Sequence, residues 1–283
     1  MKSKRFLNID RHDIIINDPA LTLFVIGNGF DIAHGVHSNY YNFRDSLGRR
    51  SELRELLENY IIKNDLWADF ENSLAYLNSE ALISGVGDWM DTFDIPEEDD
   101  DDFSAADFFM TAETAAMPAQ KIQQELPKKL RKWVETLQPV PGKKLLSDLL
   151  NTNCQYINFN YTEFLETIYG VPCYKILYIH GNRLNKKEEL IIGHSPEAGP
   201  TEEEIMKNRS NRSRRRMTQT LYDLQETAGN HIAEYFITTT KDTEKIILRN
   251  KMFFESITDI NTVIIIGHSL SAVDYPYFEK IKK

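Results

Sequence analysis

Apolar and polar positions along this chain repeat with two different periods. Five short runs rich in apolar and β-branched residues read as buried strands: Leu21 to Ile26, Tyr156 to Phe159, Lys175 to Ile179, Glu189 to Ile192 and Thr262 to Ile266. Between the first two, "RRSELRELLENYIIKNDLWADFENSLAYLNSEAL" sets Leu56, Tyr60, Trp67, Phe70, Leu74 and Leu77 at roughly helical spacing. "AAMPAQKIQQELPKKLRKWVETL" repeats that period, with Pro127 expected to start or kink a helix. Two further helical stretches are expected, from about Thr201 to Thr238 and from Asp242 to Ser256.

The residues just past each strand are more informative than the strands themselves. The runs end in Gly27-Asn28-Gly29, Asn160-Tyr161-Thr162, His180-Gly181-Asn182, Gly193-His194-Ser195 and Gly267-His268-Ser269. In an open parallel sheet, residues at the carboxyl ends of the strands line the ligand crevice. The pattern therefore predicts a single Rossmann-like α/β domain over residues 1–283, a parallel sheet flanked by helices. A helical insertion over about 45–145 would form a lid or wall over the crevice, and a helical segment would occupy about 201–258.

The first strand end resembles a nucleotide loop, yet it fails the dinucleotide fingerprint. After Gly29 the next glycine arrives at Gly35, six residues on rather than three. The loop glycines permit a tight turn and a close ligand approach. The N-terminus of the next helix would favour a phosphate, and Asp31 would cap that helix or face the ligand. A tight structural turn explains the same glycines without any ligand.

Composition narrows the class. No window approaches eighteen apolar residues, so no transmembrane helix is expected, and the charged start is not a secretory signal. Two cysteines, Cys154 and Cys173, lack metal-ligand spacing and are expected as reduced, partly buried thiols of a cytoplasmic protein. The net charge of −10 argues against a nucleic-acid coat. Its distribution is uneven: Glu97 to Asp102 is wholly acidic, and Lys207 to Arg216 is basic. Each reads most simply as a solvated loop.

Two resemblances add to this reading. The spacing Gly27-Asn28-Gly29 to Gly35-Val36 resembles that of the sirtuins, NAD-dependent deacylases. Phe159-Asn160-Tyr161-Thr162, His180-Gly181 and Gly267-His268-Ser269-Leu270 are similar to three later sirtuin elements in the same order. Thr162 departs from the sirtuin Asp, and two cysteines cannot supply the sirtuin zinc module, so no metal is expected. A wider match covers nearly the whole chain. "VIGNGFDIAHG", Trp67, Glu71 and Leu74, "FNYTEFLE", "IHGN", "IIGHS" and "GHSLSAVDYPYF" resemble the bacteriophage abortive infection protein AbiH family. Members usually continue past "DYPYFEKI", which implies that the final helices of the fold lie beyond this sequence.

The resemblance implies phage defence by a sirtuin-like core that takes NAD as substrate or ligand and hydrolyses its nicotinamide–ribose bond when triggered. It implies Asn160 and His180 as catalytic residues, Asn160 orienting ribose or water and His180 acting as base. Gly27, Asn28, Gly29, Asp31, Gly35, Gly267, His268, Ser269 and Asp274 would bind the nucleotide, with Asp31 or Asp274 stabilising the sugar cation. A phage-derived trigger or partner protein and a homo-oligomer fit this role, and a membrane or nucleic acid does not.

Structural readings stand beside the functional ones. Asn160 is equally a turn residue bonded to backbone, His180 a buried core histidine, His194 and His268 structural, and Asp274 an N-cap. Glu71, alone among apolar neighbours on its helix face, needs a cation or the crevice. Two alternatives to turnover remain open: a nucleotide sensor without catalysis, and an effector that meets RNA or DNA through residues 207–216.

Overall fold

The structure is a computed structural model that describes residues 14–96, 102, 104–150, 152–198 and 219–282. Four strands, β1 Thr22–Ile26, β2 Gln155–Asn158, β3 Ile176–Tyr178 and β4 Thr262–Ile266, form one parallel sheet in the order β3-β2-β1-β4. Phe24 aligns with Tyr156 on one side and Ile264 on the other, and Ile157 aligns with Leu177. β1 is buried along its whole length, as its unbroken apolar run requires of an inner parallel strand. From β1 the chain order runs to β2 on one side and to β4 on the other. That reversal opens a crevice beyond the carboxyl ends of β1 and β4.

Side-chain alternation along the strands divides the core in two. Phe24, Ile26 and Tyr156 face the helical insertion, where the rings of Phe24 and Tyr156 stack at 5.1 Å. Leu23, Val25 and Ile157 face the opposite layer with Ile246, Phe254 and Tyr277. The first layer contains α1 Asn28–Ala33, α2 Tyr40–Leu47, α3 Glu52–Tyr60, α4 Phe70–Ser73, α5 Ser79–Ser84, α6 Val86–Thr92, α7 Ala105–Thr136 and α8 Phe164–Tyr169. α9 Gln219–Thr239 packs along α7, and α10 Thr243–Arg249, α11 Lys251–Ser256 and α12 Tyr275–Lys282 build the second layer.

The structure departs from the sequence reading in five places. Thr262 to Ile266 forms a strand but not a buried one: Thr262 and Val263 are exposed and Ile264 to Ile266 half-buried, because β4 lies at the edge of the sheet. Glu189 to Ile192 is not a strand. Its backbone folds across the end of β3, with Ile191 N–H donating to His180 O at 2.9 Å and Tyr161 O–H to Ile191 O at 2.8 Å. These bonds occupy the groups a fifth strand would offer a neighbour, and only His194 then makes an isolated parallel bridge, to Thr240. The long helical pattern after Arg49 is broken between Tyr60 and Phe70, where Asn64 and Asp65 favour a turn. α7 does not start at Pro127 but runs through it, and through Pro118, with twelve buried residues along it packing the helix against its neighbours. Cys154 is buried and Cys173 exposed, both as free thiols. The acidic run up to residue 101 and the basic run Lys207 to Arg216 lie outside the described residues, as does the expected helix from Thr201 to residue 218.

Candidate active site

The two glycine loops at the crevice lean on each other. Gly27 N–H donates to Ile266 O at 2.9 Å, and Gly29 N–H donates to Gly267 O at 2.8 Å. A Cβ on Gly29 would lie 2.7 Å from Gly267 Cα, and one on Gly27 would lie 2.8 Å from Gly267 O. Gly267 also has φ +66°, a left-handed conformation that side chains resist. The glycines are thus required by the contact between the loops, and Gly27 and Gly29 have their N–H groups engaged there. Gly267→Ala is expected to cost at least about 2 kcal/mol, from left-handed strain and overpacking against backbone. Urea unfolding of the purified variant checks this.

Asn28 and Ser38 exchange hydrogen bonds, Asn28 Nδ2 to Ser38 O at 2.9 Å and Ser38 Oγ to Asn28 Oδ1, tying the loop to the chain entering α2. Gly35 does not line the crevice. It sits past the end of α1 at φ +80°, where a Cβ would strike the Val140 side chain.

Asp31 lies on α1, just beneath the loop, and is 2% exposed. Asn160 Nδ2 donates to its Oδ1 at 2.9 Å, and Thr162 Oγ1 donates to its Oδ2 at 2.7 Å. Asn160 Nδ2 also donates to Gly27 O at 3.2 Å. Burial pushes the Asp31 carboxyl up to about 7, against the opposing pull of the Thr162 and Asn160 hydrogen bonds. Because the folded value lies above the unfolded one, the contribution of Asp31 to stability is complete below about 4 and is lost as pH rises through about 7. The melting-temperature difference between wild type and Asp31→Asn should therefore move against the wild type between pH 4 and 8. Thermal denaturation across that range measures it.

A second cluster joins the insertion to the sheet. Lys241, fully buried just past α9, pairs with Glu71 Oε2 of α4 and, at 3.2 Å, with Asp274 Oδ1. Asp274 Oδ1 lies 3.4 Å from His180 Nε2, and its Oδ2 lies 3.5 Å from His268 Nε2. Burial opposes charge on both Lys241 and Asp274. The carboxylates Glu71 and Asp274 nevertheless hold the lysine above its ordinary value, and Lys241 with His180 and His268 holds Asp274 well below the carboxylate range. His268 Nδ1 accepts from Leu270 N–H at 2.9 Å, so its other nitrogen carries the proton toward Asp274. Tyr40 O–H donates to Glu71 Oε1 at 2.7 Å, which meets the carboxylate's second oxygen.

These groups surround one cavity of about 350 Å³. The sheet side contributes Gly27, Asn28, Gly29, Asp31, Asn160, His180, Gly267, His268, Ser269 and Asp274; the insertion contributes Tyr40, Trp67, Phe70, Glu71 and Trp133. Asn160 and His180 are therefore brought together, and of the residues expected at the site Gly35 alone lies elsewhere. Glu71 meets both of its expectations, pairing with a cation and facing the cavity. His194 is buried outside the cavity, its Nδ1–H donating to Ser195 O at 2.8 Å. The cavity's acidic side chains are Asp31, Asp69, Glu71 and Asp274, with no lysine or arginine among the described lining residues.

Sequence reasoning missed Lys241 and Arg183. Arg183 makes a two-pronged pair with Glu163, Nε to Oε2 at 2.7 Å and Nη2 to Oε1 at 2.6 Å. Its Nη1 donates to Val134 O at 3.0 Å and to Leu137 O at 2.5 Å, at the carboxyl end of α7, where a cation suits the helix dipole. Arg183 thereby fixes Trp133 and Leu137 as cavity wall. Among the described residues, no helix is long and apolar enough to cross a membrane, and no group of three or more His, Cys, Asp or Glu could hold a metal ion.

No curated protein and no solved structure matches the chain. A family model described as bacteriophage abortive infection AbiH matches residues 23–283. That span takes in all four strand ends and the helical wall, and the chain belongs to the bacteriophage abortive infection AbiH family.

Proposed function

We propose that this protein binds NAD in the cavity and, when triggered during phage infection, hydrolyses the bond between nicotinamide and ribose. The observation that carries this reading is the convergence of Asn160, His180 and the carboxylates of Asp31 and Asp274 on one cavity beyond the sheet. In the reaction the C1′–N bond breaks and its electron pair leaves with nicotinamide. The sugar passes through an oxocarbenium-like state, a water oxygen bonds C1′, and the proton of that water goes to a base.

Each requirement has a candidate group. Asn160 Oδ1 has no partner among the described residues and would accept from a ribose hydroxyl or the attacking water. His180 would take the proton. Asp274, and Asp31 in its ionised form, would stabilise positive charge on the sugar and would also suit the cationic nicotinamide ring of oxidised NAD. A cavity of about 350 Å³ lies near the small end for ligand sites and suits one nucleoside end of the dinucleotide. With no lysine or arginine among the described lining residues, the pyrophosphate would lie at the mouth, near Ser269.

Incubating the purified full-length protein with NAD, with and without phage lysate as trigger, tests the reading through free nicotinamide in the supernatant. Release at equal amounts with ADP-ribose is the expected result. One observation favours a sensor without turnover: Asn160 Nδ2 is already committed to Gly27 O and Asp31. Saturable NAD binding with no product over hours, triggered or not, would establish that second reading, in which the ligand changes assembly rather than being consumed.

A further inference from the structure

We propose that the cavity recognises its ligand through donors that the ligand itself supplies, so that it takes a ribonucleoside with free 2′- and 3′-hydroxyls and needs no 5′-phosphate. The inference deepens the reading above and rests on it for the identity of the base alone.

The orientation of one amide carries the argument. Asn160 Nδ2 lies 3.2 Å from Gly27 O and 2.9 Å from Asp31 Oδ1. A backbone carbonyl oxygen can only accept, so the atom facing it must be the amide nitrogen, and the two bonds use both of its hydrogens. The Asn160 backbone N–H is occupied as well, by Asn158 Oδ1 at 3.0 Å. What Asn160 presents to the cavity is therefore Oδ1, an oxygen that is not sealed off and has no partner among the described residues. A hydroxyl, an N–H or a water satisfies it; a phosphate oxygen does not.

Other lining donors are turned onto the protein's own acceptors. Tyr40 O–H is held by Glu71 Oε1 at 2.7 Å, Tyr161 O–H by Ile191 O at 2.8 Å and Thr162 Oγ1 by Asp31 Oδ2 at 2.7 Å. The glycine loop is occupied too. Gly27 and Gly29 donate to Ile266 O and Gly267 O, and Phe30 N–H returns to Gly27 O at 2.9 Å. A backbone cradle for phosphate needs such N–H groups free. Two lining hydroxyls, those of Ser269 and Ser271, make no bond among the described residues, and both lie on the loop after β4, where Ser269 is exposed. That places them where phosphates would pass outside the cavity. A ribose brings two hydroxyl donors to this lining, whereas an ionised phosphate brings acceptors.

The test is calorimetric binding to the full chain, wild type and Asn160→Ala, with hydrolysis-resistant carba analogues. The probes are carba-NAD and the carba analogues of nicotinamide mononucleotide, of nicotinamide riboside, and of that riboside without its two ring hydroxyls. The riboside analogue should bind wild type within about tenfold of the mononucleotide analogue, and loss of the hydroxyls should weaken binding about tenfold or more. In Asn160→Ala that second difference should shrink to less than about threefold. Equal binding with and without the hydroxyls overturns the proposal, and so does a difference that persists undiminished in a folded Asn160→Ala. If that variant does not fold, the ligand comparison on wild type decides. Binding of carba-NAD or the mononucleotide analogue without comparable binding of the riboside analogue would show that phosphate is read; it overturns the inference and leaves the NAD reading standing. If no nicotinamide analogue binds, the NAD reading fails, and adenosine against 2′,3′-dideoxyadenosine decides the inference by itself: tighter binding of adenosine upholds it, and equal binding or none overturns it.

Discussion

Replacing Arg183 by methionine is expected to cost about 3–5 kcal/mol of stability, because it strands the buried Glu163 carboxylate without its partner. The pair is 7% and 11% exposed at its side chains, so solvent cannot substitute for the guanidinium. Burial alone would raise the Glu163 carboxyl; hydrogen bonds from Arg183 and its charge bring it below its usual value. The same substitution frees Val134 O and Leu137 O at the end of α7. Trp133 and Leu137 would then lose their fixed position on the cavity wall. For a chain of this size the loss corresponds to a fall in melting temperature of roughly 10 °C, read by calorimetry or circular dichroism. Arg183→Met/Glu163→Gln, which leaves no uncompensated charge, should recover a large part of it. Equal losses in single and double variants would show that the two carbonyl bonds, and not the ion pair, carry the effect.

The second large effect concerns turnover. His180→Ala should lower nicotinamide release by roughly 10²–10⁴-fold, the range for removal of a positioned general base, with NAD binding changed far less. Asn160→Ala should lower it by a comparable factor for a different reason. It removes the Oδ1 acceptor and at the same time one of the two hydrogen bonds that hold Asp31 against the loop. The two variants are therefore separable. Asn160→Ala should show a lower melting temperature and an altered Asp31 contribution to the pH dependence of stability. His180→Ala leaves the Asp31 cluster untouched. Full turnover in either variant, measured on protein confirmed as folded, removes that residue from the mechanism.

Much of the sheet could be read from the chain because β1 and β4 are continuous apolar runs, although only β1 is buried along its length and the edge strand β4 leaves Val263 42% exposed. Glu189 to Ile192 has the same composition, yet it folds as a crossing segment because its hydrogen-bonding groups meet His180 O and the Tyr161 hydroxyl. Those partners are distant in sequence and carry no local signal. The glycine loop shows a similar division. Its glycines were recognised, whereas their physical cause, contact with the Gly267 loop some 240 residues later, lies in tertiary structure. The insertion was legible as helical and as a wall, because Leu56, Tyr60, Trp67, Phe70, Leu74 and Leu77 recur at roughly helical spacing. Its breaks at Asn64 and Asp65 were local turn signals outweighed by the period around them.

Lys241 shows the limit most plainly. It stands in "TTTKDTEK", a polar stretch in which nothing marks one lysine for full burial. Glu71 pointed to it indirectly, as a carboxylate on an apolar face that needed a cation. Which cation answered depended on a contact across 170 residues. Arg183 was hidden in the same way, its carboxylate partner 20 residues away and its carbonyl partners on a helix of the insertion.

The central claim is that the sugar of a nicotinamide nucleotide rests between Asn160 and His180. A crystal structure of the full-length protein with carba-NAD, an analogue whose ring-to-sugar bond resists hydrolysis, tests it most directly. The account predicts density in the cavity, with the analogue's sugar-like ring in hydrogen-bond reach of Asn160 Oδ1 and its reacting carbon facing His180. Density confined to another surface, or an empty cavity at a concentration that saturates the protein in solution, would contradict it.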